Sequence, residues 1–324
     1  MKNLITGIQG FAGSHLADLL LAHNEEVIGL ARSLENDRNI RHARDRIEVM
    51  EGDIRSPEEV IRCLETVRPS RIYHLAAVTF VPAGEEDCQK TFETNFYGTL
   101  HLLNAVKKMG LKTRILWVGS SEAYGVVTRE EGPIREDRPL KPFSLYGVSK
   151  AAADLLAQSY FERDGLDIVR VRPFNHIGPR QSSNFACSSF ARQVVEIENG
   201  APPVLQTGNL DSWRDILDVR DTVRAYRAIM ERGTSGAAYN VCSGKETRVR
   251  ALLEALVKMS RIPIRIQSDP ARFRLSKSIN VYGDSTHLRE QTGWRPRIPL
   301  EKTLEDILEY WRETLKSDEA LRAE

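Results

Sequence analysis

No apolar run in the chain approaches the roughly 18–20 residues that cross a bilayer, so no membrane helix and no membrane partner are expected. A secretory leader is not expected either. Asn3, Thr6, Gly7 and Gln9 interrupt the very short apolar stretch at the N-terminus. Cysteine is scarce: four residues, at 63, 88, 187 and 242, with no CxxC pair. Such spacing predicts reduced thiols, a cytoplasmic location and no structural zinc. Excess charge of one sign is also lacking. Lys plus Arg number 46 against 45 Asp plus Glu, a net +1, which excludes a nucleic-acid binder working by bulk charge. No internal repeat or low-complexity tract is visible. What remains is ordinary globular composition over 324 residues, 41% hydrophobic and 28% charged, enough for one large or two modest domains.

Short β-branched runs alternate with helical periodicity. Strands are predicted at 2–6, 26–31, 47–51, 71–75, 114–118 and 168–171. Helices are predicted at 11–22, 58–67, 92–108 and 146–161. In the first helix Leu16, Leu19 and Leu20 share a face. Strict alternation implies a parallel sheet covered on both faces, an α/β doubly wound fold of the Rossmann type. Beyond Pro173 the alternation loosens, with a strand expected at 239–242 and helices at 249–259 and 300–315. A smaller C-terminal α/β domain is expected, part of which returns to the main sheet.

Gly7, Gly10 and Gly13 lie between the first strand and first helix, spaced GxxGxxG. Such a turn lets backbone amides approach a pyrophosphate at the positive end of a helix. Three glycines alone are a weak signal, because any turn uses them. Their place between strand and helix makes the dinucleotide reading strong. An acid closing the second strand would hold the ribose 2′-hydroxyl of NAD. This strand instead runs Gly29-Leu30-Ala31-Arg32, with no acid before Glu35. Arg32 suits a 2′-phosphate, so NADP(H) is preferred and NAD(H) tolerated; the bland alternative is a surface arginine. Asp53 either accepts from the adenine amino group or caps the helix beginning near Pro57.

Tyr146 and Lys150 are four apart on a predicted helix and share a face. An adjacent ammonium favours tyrosinate, so the pair is expected to trade a proton near neutral pH. Ser120 closes the fifth strand, at the edge where open α/β sheets place ligands. A lone YxxxK is common by chance; with the glycine turn and Ser120 in this order, chance is a poor account.

At these residues the sequence resembles the extended short-chain dehydrogenase/reductases that act on sugar nucleotides. The matched segments span nearly the whole chain: TGIQGFAGSHL, GDI at 52–54, HLAA at 74–77, GSSEAYG at 119–125, YGVSK at 146–150, RPFNHIGPRQ at 172–181, GNLDSWRDILDV at 208–219 and YNVCSG at 239–244. The resemblance implies a dinucleotide-binding domain over 1–172, with returning segments near 211–243, and a mainly nucleotide-sugar domain over 173–324. It implies Tyr146 as acid/base, Lys150 as its partner, and Ser120 as the hydroxyl orienting the substrate. Phe11, Ile54, Leu75, Ala76, Ala77, Pro173, Phe174 and His176 would line the cofactor. Asn175, Asn209, Arg214 and Arg274 would hold the nucleotide sugar, the two arginines as diphosphate clamps. Otherwise Arg214 merely pairs with Asp215.

Within the family, FNHIGP with GNLDSWRD looks most like the reductases of GDP-4-keto-6-deoxy-mannose, which make GDP-rhamnose. The GDP-mannose 4,6-dehydratases are close relatives, and a 4-epimerase on another nucleotide sugar is a further alternative. Glu122 occupies the place of the glutamate that shuttles protons in the dehydratases, and reductases carry it too. At 271–278 the chain reads ARFRLSKS; Leu275 and Lys277 stand where relatives often have proline and an acid, which bears on the base. A protein of another class, a non-catalytic NADP-binding scaffold, would not need Ser120, Tyr146 and Lys150 together. His15, His74 and His101 read as packing or surface residues without metal spacing. The helices at 92–108 and from 146 have apolar residues beyond one stripe. In the family that pair forms a homodimer, though burial within the monomer fits as well.

Overall fold

The structure, a computed structural model, describes residues 1–35, 37–80, 86–272 and 280–323. Its main layer begins with β1 (Lys2–Thr6), α1 (Phe11–Ala22), β2 (Glu26–Ala31), β3 (Glu48–Glu51), α2 (Pro57–Val67) and β4 (Arg71–His74). After α3 (Cys88–Phe92) a five-residue π turn, Glu93–Tyr97, leads into α4 (Gly98–Lys108). Then come β5 (Arg114–Val118), α5 (Leu145–Asp164) and β6 (Ile168–Pro173).

Past β6 the chain forms β7 (Asn175–Ile177), α6 (Ala186–Glu198), β8 (Val204–Thr207), β9 (Trp213–Asp218), α7 (Val219–Arg232) and β10 (Ala238–Val241). It continues with β11 (Glu246–Arg248), α8 (Val249–Lys258), β12 (Arg265–Ser268), β13 (Asn280–Val281), α9 (Thr286–Thr292) and α10 (Leu300–Ala323). The large sheet has the order β10-β6-β5-β4-β1-β2-β3, every pairing parallel. A smaller sheet joins β11, β9 and β13, with β7 also on β9, and β12 pairs β8.

The strands are legible because helices cover both faces, so most interior strand positions are apolar. One face packs Leu16 and Leu20 of α1 with Tyr226 and Ile229 of α7. The other packs Leu64 of α2, Leu103 of α4 and Ala153 and Ala157 of α5 against Leu4, Ile72 and Ile115. A third core lies between α6, α8 and α10, around Val194, Leu253 and Ile307. Helix ends carry local signals: Ser56 accepts from the Glu59 amide at 3.2 Å with Pro57 at the first position, and Ser144 accepts from the Gly147 amide at 3.0 Å. Three helices escape the sequence reading: α6, α7 and the short α9. The predicted helix at 92–108 begins earlier, at Cys88, and carries the π turn.

Candidate active site

The site lies beyond the carboxyl ends of the strands, between the first crossover and the smaller sheet. After β1 the chain turns sharply, with Gly7 at φ +72°. A Cβ on Gly7 would sit 2.9 Å from Ala76 Cα, and one on Gly13 would sit 2.3 Å from the Gly7 carbonyl oxygen. Both positions exclude a side chain. Gly10 opens α1 with no side-chain cap, and the first turn holds no acid. The first amides of α1 are therefore available to an anion, and the residues fit a dinucleotide diphosphate. Leu75 and Ala76 are tied to the same turn through their amides, to the Thr6 carbonyl at 3.2 Å and the Thr6 hydroxyl at 3.1 Å; Ala77 follows, half-buried.

Arg32 follows β2 and is exposed. It makes no hydrogen bond or ion pair among the described residues. Asp53 follows β3 half-buried, but its carboxylate is taken by Arg55, whose Nη2 lies 2.6 Å away. That hydrogen bonding holds the Asp53 carboxyl below the usual range. The cap of α2 is Ser56, which corrects the alternative that Asp53 serves there. Ile54 is buried against Gly98 of α4.

Pro173 closes β6, and Phe174 is buried with its amide on the Val241 carbonyl at 2.9 Å. His176 stacks on Phe11, ring centres 5.7 Å apart, joining the start of α1 to β7. Burial lowers the pKa of His176. Asn175 and Asn209 are exposed, and Asn209 accepts from the Asp211 amide at 2.8 Å.

Tyr146 and Lys150 are almost fully buried on the first turns of α5, facing β5. The expected exchange of charge between them is not what the structure holds. Lys150 Nζ donates to the Val118 carbonyl at 2.8 Å and lies 5.5 Å over the Trp117 ring. Burial lowers its pKa to about 8. Burial likewise raises Tyr146 to about 12, opposed by a hydrogen bond with Ser120 and aided by the charge of Glu122. Desolvation outweighs the attraction that sequence spacing suggests.

Ser120 is buried, and its hydroxyl accepts from the Glu122 amide at 3.1 Å. Glu122 is exposed as a residue, yet desolvation of its carboxyl raises the pKa, against the pull of Arg214. Arg214 is half-buried, and Glu122 is the acid whose field it feels. Asp215 turns away and accepts from Ser243, Gly244 and Gly283, so the simple Arg214–Asp215 pair does not form. Arg274, Leu275 and Lys277 lie outside the described residues.

One buried cluster was missed from sequence. Asp154, one turn beyond Lys150, accepts from Arg170 at 2.6 Å and Arg172 at 2.9 Å. Arg172 in turn donates to the Tyr124 hydroxyl at 2.9 Å, which donates to Asn240 at 2.8 Å. An acid inside the apolar stretch AAADLLA was the available signal.

A doubly wound sheet, an uncapped glycine turn and a buried Ser-Tyr-Lys set define the extended short-chain dehydrogenase/reductase class. The profile of the GDP-mannose 4,6 dehydratase family matches residues 4–307, and the chain belongs to that family. It is 35% identical to the GDP-6-deoxy-D-mannose reductase of Pseudomonas aeruginosa over 97% of this chain and 98% of that one. Its fold is similar to the structure of RMD from Pseudomonas aeruginosa complexed with NADPH, with TM-score 0.85, 33% identity and coverage of 97% and 99%. It is also similar to the Thermus thermophilus UDP-glucose 4-epimerase in complex with NAD, with TM-score 0.85, 28% identity and coverage of 96% and 99%.

Proposed function

We propose that the protein is an NADPH-dependent reductase that converts the 4-keto group of GDP-4-keto-6-deoxy-D-mannose to the hydroxyl of GDP-D-rhamnose. The observation that carries this reading is the buried Tyr146, whose phenol keeps its proton well past neutral pH. Beside Ser120 it is suited to give a proton to a nascent alkoxide. The sequence likeness to a GDP-6-deoxy-D-mannose reductase supports the substrate.

In this reading residues 1–172 and the segments returning near 211–243 hold the dinucleotide, and 173–324 mainly hold the sugar nucleotide. Gly7, Gly10 and Gly13 admit the diphosphate, Arg32 meets the 2′-phosphate, and Lys150 holds the nicotinamide ribose. Bound NADPH supplies the hydride. Ser120 orients the ketone oxygen, and Tyr146 protonates it as it becomes a hydroxyl. The phenolate left behind is stabilised by the nearby ammonium of Lys150. Arg214 and Arg274 clamp the substrate diphosphate, with Asn175 and Asn209 beside them, so remote binding energy places the ketone.

Glu122 favours one second reading, a GDP-mannose 4,6-dehydratase, since a carboxyl with raised pKa beside Tyr146 suits proton shuttling during water loss. The test pairs two measurements. Purified protein is incubated with NADPH and a panel of nucleotide 4-keto sugars, and separately with GDP-mannose. GDP, UDP, dTDP and CDP are then titrated calorimetrically against the NADPH-bound protein. Stoichiometric NADPH loss with the GDP sugar and tightest binding of GDP are expected. Turnover of GDP-mannose without net NADPH loss gives the dehydratase. Tighter UDP or dTDP gives an epimerase or dehydratase on another nucleotide.

The reading includes a cytoplasmic homodimer. Four unpaired cysteines are consistent with that compartment. Leu155 on α5 and Tyr97 before α4 are exposed by 57% and 49%, which suits a second copy packing there. A monomer in sedimentation at micromolar concentration removes that part.

A further inference from the structure

A second buried network joins the glycine turn to the catalytic helix, and its protons can be assigned one by one. Ser149 Oγ lies 2.7 Å from the Tyr146 carbonyl, to which only its hydroxyl proton can be given. Ser149 Oγ therefore accepts from Asn95 Nδ2 at 3.0 Å. The Thr99 hydroxyl likewise gives its proton to the Asn95 carbonyl at 2.7 Å, inside the π turn. Its oxygen is left only to accept, from Trp117 Nε1 at 3.2 Å and from His74 Nε2 at 3.2 Å. His74 thus carries its proton on Nε2, and its bare Nδ1 accepts from the Thr6 hydroxyl at 2.7 Å. Thr6 Oγ1 in turn accepts the Ala76 amide at 3.1 Å. Every hydroxyl is satisfied, and the bonds from Thr6 to Ser149 run in one direction towards α5, joined at Asn95 through its backbone carbonyl and its side-chain amide, while Trp117 donates from β5.

We propose that His74 is a positioning residue for Tyr146: as the Nε2–H tautomer it ties, through Thr99, Asn95 and Ser149, the register of the catalytic helix to the strand end that meets the dinucleotide. The proposal rests on the reading of Tyr146 as proton donor. Thr6 and Ala76 lie against Gly7, while Ser149 fixes the first turn of α5, where Tyr146 begins. The bonds from Thr6 to Thr99 are aligned and reinforce one another, and Asn95 joins them through its own covalent frame to Ser149, so the buried set resists local displacement. Burial and the charge of Lys150 hold His74 neutral, its pKa lowered to about 3, so the relay is unchanged across the working pH range. A proton donor misplaced by an ångström loses up to about a hundredfold in rate.

The test uses the full chain with Thr99→Val, Ser149→Ala, the double variant, His74→Leu and His74→Gln. Each single cut in the relay is expected to lower kcat about tenfold, with KM and NADPH affinity within about twofold of wild type. Because both cuts sever one chain, the double variant should be no slower than the slower single. His74→Gln, which keeps a donor within reach of Thr99, should recover most of the loss seen in His74→Leu. Multiplying losses in the double variant, or unchanged kcat with only lower Tm, overturn the proposal. If His74→Leu fails to fold, the Thr99 and Ser149 variants decide. If wild type reduces no 4-keto sugar, the functional reading has failed, and a readout without substrate decides the relay. Tyrosinate ultraviolet absorbance is titrated for each variant and corrected by the same variant carrying Tyr146→Phe. The Tyr146 midpoint should move in Thr99→Val and Ser149→Ala; an unmoved midpoint overturns the relay.

Discussion

Arg32 offers a clean test of cofactor choice, because its side chain makes no hydrogen bond or ion pair with the described protein. Replacing it should therefore change ligand affinity with little change in stability, within about 0.5 kcal/mol for a surface site. A charge-assisted hydrogen bond is worth about 1.5–3 kcal/mol, so Arg32→Ala should weaken NADPH by about 10- to 150-fold. Arg32→Asp adds repulsion. A unit negative charge about 5 Å from the 2′-phosphate in water costs about 0.8 kcal/mol per phosphate charge, roughly another four- to tenfold loss. NADH has no 2′-phosphate to lose, and an aspartate at this strand end can accept from its ribose hydroxyl, so NADH affinity should hold or rise. The assay is fluorescence titration of both reduced cofactors at one fixed, low salt concentration, with Tm measured in parallel. An NADPH-to-NADH affinity ratio equal to that of wild type in both variants refutes the assignment. A falling ratio accompanied by a large drop in Tm refutes the claim that Arg32 acts on the ligand alone.

Two further outcomes follow from the acid and its partner. Tyr146→Phe should cut kcat by about 10²–10⁴, the scale of general acid catalysis, while NADPH affinity stays within a few-fold; activity within a few-fold of wild type in a stopped assay removes Tyr146 from the mechanism. Lys150 is charged below its lowered pKa and loses its proton as pH rises through about 8. In a profile of kcat/KM for reduction, the rate should fall above that point, well before Tyr146 itself ionises near 12, and a flat profile to pH 10 contradicts the ribose-holding role of the ammonium.

The main sheet was legible because short β-branched runs alternate with helical periodicity, as in β1 and β2, although even a fully buried strand such as β6 carries Arg170 and Arg172. The glycine turn was legible because its spacing sits against a strand and a helix. Beyond β6 the signal weakens. The strands Asn175–Ile177 and Glu246–Arg248 are three residues each and largely polar, since they pair at the rim of a small sheet and bury little. The helix α7 was hidden by four arginines, although Val219, Val223, Tyr226 and Ile229 keep helical spacing. Within the site, residue types were legible and electrostatics were not. The Tyr146–Lys150 spacing suggested mutual charge stabilisation, whereas depth of burial decides both pKa values. No spacing rule could show that Asp215 serves three distant backbone amides rather than its neighbour Arg214. The same holds for Asp154, whose two arginines come from β6.

The seventh strand of the large sheet has a consequence for how the chain is made. β6 ends at Pro173, and its outer neighbour β10 does not begin until Ala238, about 65 residues later. At ribosomal rates of about 5–20 residues per second, the nascent chain carries β6 as an open edge for about 3–13 s. Every residue of that strand is buried in the finished molecule. Until β10 arrives, its outer row of amides and carbonyls is a template for any passing strand, including β6 of another nascent copy. A truncation placed after residue 173, however well it preserved the glycine turn and Tyr146, would make that interval permanent.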